Sequence, residues 1–383
     1  MGGTGTGHSH HGSHRALLRS NELDPPGTAD IDAIIVPTRH TTDHLRSALR
    51  IAHDLGCPLL ALCSQAASAE AARSVADTIG ADLVAIDFAG IPGDVLPRFA
   101  TTELLAGTPF EYHRDTSAKR NLGLLLADLM GWQRIVFLDD DITVPNPEDL
   151  RRATHLLDRY AAAGLAIKTY PDHSVVCHAY RATGAALETF IGGGALAVGT
   201  AARRSFFPSI YNEDWFFLLN GRQLRPATLT GAATQDDYDP YQGTERAESE
   251  EFGDCLGEGV FAALHDSGTI EAATDHDYWH DFLQTRLTFV RHVIDRVGQS
   301  AMPAAERMID ALRAAYRRSG LITPSTCVDY LSAWRADRRV WRQHVDMLLA
   351  DHQPGLSRLG QLARLEKVLS ELGLMECSCL TMT

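Results

Sequence analysis

The sequence predicts an α/β fold, a mostly parallel sheet flanked by helices, with a helical extension behind it. Three observations predict it. Short apolar runs alternate with helix-length amphipathic runs between residues 31 and 138, as βαβ units do. Several of these runs end in polar residues, Thr38, Asp87 and Asp139, at the strand ends where open α/β sheets bind ligands. Beyond about residue 276 the periodicity is helical and no strand pattern returns.

Residues 1–30 are rich in Gly, Ser and His, including His8, His10, His11 and His14, and close in Asp24-Pro25-Pro26-Gly27. This composition predicts a disordered lead-in. Residues 31–36 form an apolar strand closed by Pro37, and 41–55 a helix that Thr41 or Thr42 can cap. Strands follow at 59–63 and 83–87, with a helix at 68–79 between them. A long helix at 116–130 feeds an apolar strand at 134–138. Shorter strands are expected at 166–170, 175–180, 195–198 and 227–231. Residues 235–254 read as an acidic loop, solvated or acting as a lid. Helices are expected at 278–297, 303–318, 327–349 and 356–372. The expected organisation is a disordered segment 1–30, a catalytic domain 31–275, a helical extension 276–375 and a tail 376–383.

The chain has 383 residues and a formal net charge of −14. That charge excludes a nucleic-acid backbone or an anionic membrane as the main partner, since both call for a basic face. It leaves room for a nucleotide, whose diphosphate a metal and local dipoles can hold inside an acidic protein. No run of about 18 apolar residues exists, so no membrane span is expected. The N-terminus has no apolar leader, and the seven scattered cysteines favour reduced thiols and a cytoplasmic setting. Cys377 and Cys379 read as part of a loose tail, with metal binding or oxidation the alternative.

The strongest chemical signal is the strand 134–138 running into Asp139-Asp140-Asp141. Adjacent carboxylates repel unless a cation binds, and hard oxygen ligands suit Mg²⁺ or Mn²⁺. A solvated turn is the plainer reading. Upstream, Lys119 and Arg120 sit in the first turns of a helix, where its dipole disfavours cations. A bound diphosphate would relieve that conflict, whereas an exposed basic pair would need no ligand. Lysine occurs elsewhere only at Lys168 and Lys367, which makes Lys119 stand out.

The stretch from Ala118-Lys119-Arg120-Asn121-Leu122-Gly123 to Asp139-Asp140-Asp141 resembles the heart of family-2-type GT-A glycosyltransferases. Those enzymes carry an R-N-x-G helix, a strand and a D-x-D motif on a Rossmann-like fold. Pro37, Thr38 and Arg39 resemble the end of their first strand, where the donor is met, and Asp87 their base-reading carboxylate. Gly192, Gly193 and Gly194 are similar to the acceptor-side glycine strand. Asn212-Glu213-Asp214-Trp215 is similar to the E-D-x motif that supplies the base of inverting members. The resemblance covers roughly residues 31–265.

It implies a nucleotide-sugar donor (a UDP- or GDP-sugar) and Mn²⁺ or Mg²⁺ as cofactor. Donor contacts would come from Pro37, Thr38, Arg39, Asp87, Lys119, Asn121, Asp139 and Asp140. Metal ligation falls to Asp141 and His265, catalysis to Asp214, and the acceptor side to Gly193, Gly194, Glu213 and Trp215. Asp214 reads otherwise as a helix cap and His265 as an ordinary helix-end histidine. The family's Q-x-x-R-W motif is missing. The late His265 also fits retaining enzymes of the glucosyl-3-phosphoglycerate synthase type. A sugar nucleotidyltransferase and a non-catalytic nucleotide-sugar-binding protein stay open. The acceptor is not legible, and the C-terminal helices offer a surface for homo-oligomers.

Overall fold

A computed structural model describes residues 14–168, 174–186, 190–356 and 360–381, with no side chains described for 352–356. His8, His10 and His11 lie outside these residues, as do the last two positions of the strand expected at 166–170.

The first half builds much as the pattern implies, except that the first strand runs on through Pro37 to Thr38 and the helix expected at 41–55 starts at Leu45 with no side-chain cap from Thr41 or Thr42. β1 (Ala33–Thr38), α1 (Leu45–Leu55), β2 (Leu59–Cys63), α2 (Ala69–Ile79) and β3 (Leu83–Asp87) follow in order. Ser68 caps α2 by accepting from the Ala71 N–H, and Gly56 and Gly80 end α1 and α2 in the left-handed conformation glycine tolerates. The short α3 (Ala100–Leu105) precedes α4 (Thr116–Met130) and β4 (Arg134–Leu138). β5 (Ile142–Thr143), α5 (Glu148–Leu156), β6 (Ala162–Ile167), α6 (Val175–Ala182) and β7 (Ala195–Gly199) come next. They lead to α7 (Glu213–Phe217), β8 (Ala227–Gln235) and α8 (Glu245–Ser267). The chain ends in α9 (His276–Gly298), α10 (Ala305–Ser319), α11 (Pro324–Leu356), α12 (Gln361–Glu371) and β9 (Ser378–Thr381).

The strands form one sheet in the order β5-β8-β6-β7-β4-β1-β2-β3-β9. β4, β1, β2 and β3 run parallel, so Thr38 and the Asp139–Asp141 turn leave the sheet at the same edge. β7 runs antiparallel to both β4 and β6, and returns Gly192–Gly194 to that edge. Side chains alternate between two cores: Ala33 and Ile35 pack on the α4 side, Ile34 and Val36 under α1 and α2. With both faces covered, the central strands read as continuous apolar runs.

Four further expectations are corrected. Residues 175–180 form a helix, because Ser174 accepts from the Cys177 N–H and that cap outweighs the β-branched Val175 and Val176. Residues 245–254 are helical, the first turns of α8. Its carboxylates are buried against partners: Glu251 and Asp254 on Arg286, Glu250 on Arg246. Residues 378–381, expected as tail, pair antiparallel to β3 and close that edge of the sheet. Residues 14–30 hold to the body of the protein, with Arg19 N–H on the Ala227 carbonyl and Ala29 N–H on that of Arg151.

The C-terminal helices share the core on the α4 side. Trp334, Trp341, Leu365 and Leu369 join it in one cluster with Leu122, Leu126 and Phe137.

Candidate functional site

The strand ends enclose a cavity of about 750 Å³. Pro37, Thr38 and Arg39 from the end of β1 line it, with Asp139, Asp140 and Asp141 from the end of β4. Gly193 and Gly194 stand before β7, and Glu213, Asp214 and Trp215 belong to α7. All of these were expected from the sequence, and the fold gathers them from four separate segments.

The three aspartates differ in surroundings. Both oxygens of Asp139 accept from the Arg120 Nη2 group, at 2.8 and 2.9 Å. Asp140 accepts from the Thr38 hydroxyl at 2.5 Å and lies 3.0 Å from the His40 Nδ1. Asp141 accepts from the Gln235 side-chain amide at 3.1 Å.

Arg120 is buried and bridges two carboxylates. Its Nη1 donates to Glu213 at 2.5 Å while Nη2 holds Asp139. Burial alone would lower its pKa, but Asp139 and Glu213 outweigh that and raise it. A β-carbon at position 193 would lie 2.4 Å from Arg120 Nη1, so glycine there is what lets the guanidinium through. Burial pushes Glu213 up to about 8, assisted by Asp214 and opposed by Arg120. The sequence pairs Arg120 with Lys119 as a candidate diphosphate contact and does not assign it this bridging role. The signal that could have found it is a cation in a helix whose N-terminus faces three aspartates.

Asp214 is not the helix cap. Asn212 occupies the cap position of α7, in the left-handed region at φ 63°. One Asp214 oxygen accepts from the Gly193 N–H at 2.6 Å, which ties α7 to the glycine turn. Trp215 packs its ring against His14, Phe190 and Phe261.

Three expected residues do not line the cavity. Asn121 is buried and clamps the backbone of Phe207 with both its amide atoms, at 2.8 Å each. Asp87 accepts from the Ala69 N–H at 2.8 Å, at the start of α2. His265 ends α8 behind His14: its Nε2 lies 3.0 Å from the His14 Nδ1, and the His14 Nε2 lies 3.2 Å from Glu258. Lys119 does reach the cavity wall. Its ammonium already has three partners, the Thr38 carbonyl at 2.8 Å, the Ser64 hydroxyl at 2.6 Å and Asp115 at 3.1 Å. Three donors with three acceptors leave nothing for a phosphate without an exchange.

The cations with spare capacity are different ones. Arg39 and Arg114 both line the cavity, and among the described residues neither guanidinium has a hydrogen-bond or ion-pair partner. Burial, then the like charge of Arg114, lower the pKa of Arg39. Two like-charged guanidinium groups lining one cavity favour an anion. Sequence reasoning missed Arg114 because it precedes α4 in a segment with no strand or helix signal.

No protein-family model matches the chain, and no curated protein matches it. Among solved structures it is similar to mannosyltransferase PcManGT from Pyrobaculum calidifontis in complex with GDP-Man and Mn²⁺. The identity is 12%, over 92% of this chain and 89% of that one, with a TM-score of 0.35.

Proposed function

We propose that this chain is a metal-dependent glycosyltransferase of the GT-A type. It moves a sugar from a nucleoside-diphosphate-sugar to an acceptor hydroxyl, with inversion, and Asp214 is the base. One observation carries the reading. A single cavity joins the strand-end carboxylates Asp139–Asp141, the unpaired Arg39 and Arg114, and Asp214 across the Gly192–Gly194 turn.

Arg39 and Arg114 take the donor diphosphate through charge-assisted hydrogen bonds. Lys119 holds the Thr38 turn from below and acts on the donor only through it. Asp140, fixed by Thr38 and His40, keeps that turn against the end of β4. Arg120 aims Asp139 toward the donor ribose.

Carboxylate oxygens are hard donors and suit Mn²⁺ or Mg²⁺, so the residues fit the ion the reading calls for. Asp141 would hold it, and when bound the ion supplies neutralisation of the charge that grows on the leaving diphosphate. His265 is not placed to share it, since His14 stands between His265 and the cavity.

Asp214 takes the acceptor proton. Its hold on the Gly193 N–H keeps the carboxylate at the glycine turn, where an acceptor hydroxyl would meet the donor's anomeric carbon. The test is Asp214→Asn, with turnover, donor Kd and product anomer measured together. The expected result is a folded variant with near-normal donor affinity and kcat lower by ~10²–10⁴-fold. A normal kcat, or retention of the anomeric configuration in the wild-type product, would remove Asp214 from this role.

A further inference from the structure

We propose a second cation site on the inner wall of the cavity, formed by the Cys177 thiolate and the Asp254 and Glu258 carboxylates, of the class that takes Zn²⁺. It is separate from the Asp139–Asp141 edge and does not depend on the donor reading.

Cys177 lies in the first turn of α6, while Asp254 and Glu258 are one turn apart on α8. One ligand atom from each lies within 4.8 Å of the others, and all three side chains are buried yet line the cavity. Tetrahedral bonds of about 2.0–2.3 Å set ligand atoms about 3.5 Å apart, so small side-chain rotations would close the shell. A thiolate with two carboxylates is a borderline donor set, better matched to Zn²⁺ than to Mg²⁺ or Ca²⁺.

The surroundings supply what such ligands need. Asp254 accepts from Arg286 at 2.7 Å and from the Asn212 amide at 3.4 Å, and Glu258 meets the His14 imidazole at 3.2 Å. Outer partners of this kind orient metal-binding carboxylates. Charge points the same way. Arg286 is one buried cation set against both Glu251 and Asp254, and Cys177, Asp254 and Glu258 bring three acidic groups within reach of one another. Burying this much acidity together is costly without a further positive charge. Three protein ligands leave one position open toward the cavity, the arrangement of zinc sites that exchange a ligand.

The test is Co²⁺ titration of the full chain, read by the near-ultraviolet thiolate-to-cobalt charge-transfer band. Histidines of residues 1–13 can bind cobalt but cannot give that band. The band is expected in the wild type, in Asp141→Asn and in the Cys377→Ser/Cys379→Ser double variant. Cys177→Ser should lose it, Glu258→Gln should weaken cobalt affinity by more than ~10-fold, and Zn²⁺ should displace it. A wild type without the band, or a Cys177→Ser variant that keeps it, overturns the site. Should Cys177→Ser fail to fold, alkylation of wild-type Cys177 with and without Zn²⁺ decides: protection supports the site, and equal labelling overturns it.

Discussion

Arg120 gives its two terminal nitrogens to carboxylates from different segments, Asp139 after β4 and Glu213 at the start of α7. The side of the cavity carrying Asp139 is thereby locked to the side carrying Asp214. Glu213 is the titrating member of this lock. Its folded pKa, about 8, stands above the ordinary 4.5, mainly through burial. The folded state therefore holds the proton more tightly than the unfolded chain. Stability from this group is complete below about pH 4.5 and is lost as the pH rises toward about 8. Glu213→Gln, which mimics the protonated acid, should remove that loss. The Tm difference between Glu213→Gln and wild type should shift in the variant's favour between about pH 5 and pH 8. A difference that stays constant across the window would contradict the raised pKa.

Asn121 shows a residue whose motif and whose work differ. It belongs to the R-N-x-G pattern, yet its amide is closed on the Phe207 backbone. Asn121→Ala leaves two buried backbone groups without this partner and should cost about 1–3 kcal/mol of stability for each. Donor affinity of the folded variant, measured by calorimetry, should match wild type. A specific loss of donor binding without loss of stability would return Asn121 to the site.

At the scale of elements, β2, β3, α4 and β4 begin and end where apolar periodicity and capping residues place them. Their sequence signals are local: a buried parallel strand needs apolar side chains on both faces. The elements the sequence hides owe their form to distant partners. The acidic start of α8 looks like a solvated loop because Arg286, which neutralises Glu251 and Asp254, arrives from α9. The four residues of β9 carry little signal of their own, and β3 supplies the ladder that makes them a strand. Likewise the cavity's carboxylates were legible as a run, whereas Arg114 and the His14–Glu258 contact exist only once the chain is folded.

β9 also guards the sheet. It covers the outer edge of β3 through four residue pairs, Leu83 to Ile86 with Thr381 to Ser378. Deleting residues 376–383 should lower stability by about 1–3 kcal/mol, at a few tenths to 1 kcal/mol per cross-strand pair. The exposed edge should also promote self-association. Scanning calorimetry and light scattering read the two effects, and an unchanged Tm would show that β9 adds nothing to the sheet.

At the scale of the whole molecule, one core binds the C-terminal helices to the sheet. Trp341 donates from Nε1 to the Arg203 carbonyl at 3.0 Å, and Asp337 accepts from the Ala100 and Thr101 N–H groups that open α3. Among the described residues no helix is long and apolar enough to cross a membrane. Net charge is −14, yet the cavity concentrates unpaired Arg39 and Arg114 beside the Asp139–Asp141 edge. The proposed function rests on this pairing, carboxylates for a metal and guanidinium groups for a diphosphate in one cleft of an acidic protein.

The decisive measurement is calorimetric binding of UDP-sugars and GDP-sugars to wild type and Asp141→Asn, each with Mn²⁺ and with a chelator. One of the donors should bind the wild type tightly only with Mn²⁺. Asp141→Asn should lose about 100-fold in affinity with Mn²⁺ present, about 2.7 kcal/mol, while keeping its fold. Donor binding that is indifferent to the chelator, or undiminished in Asp141→Asn, would contradict the proposed function.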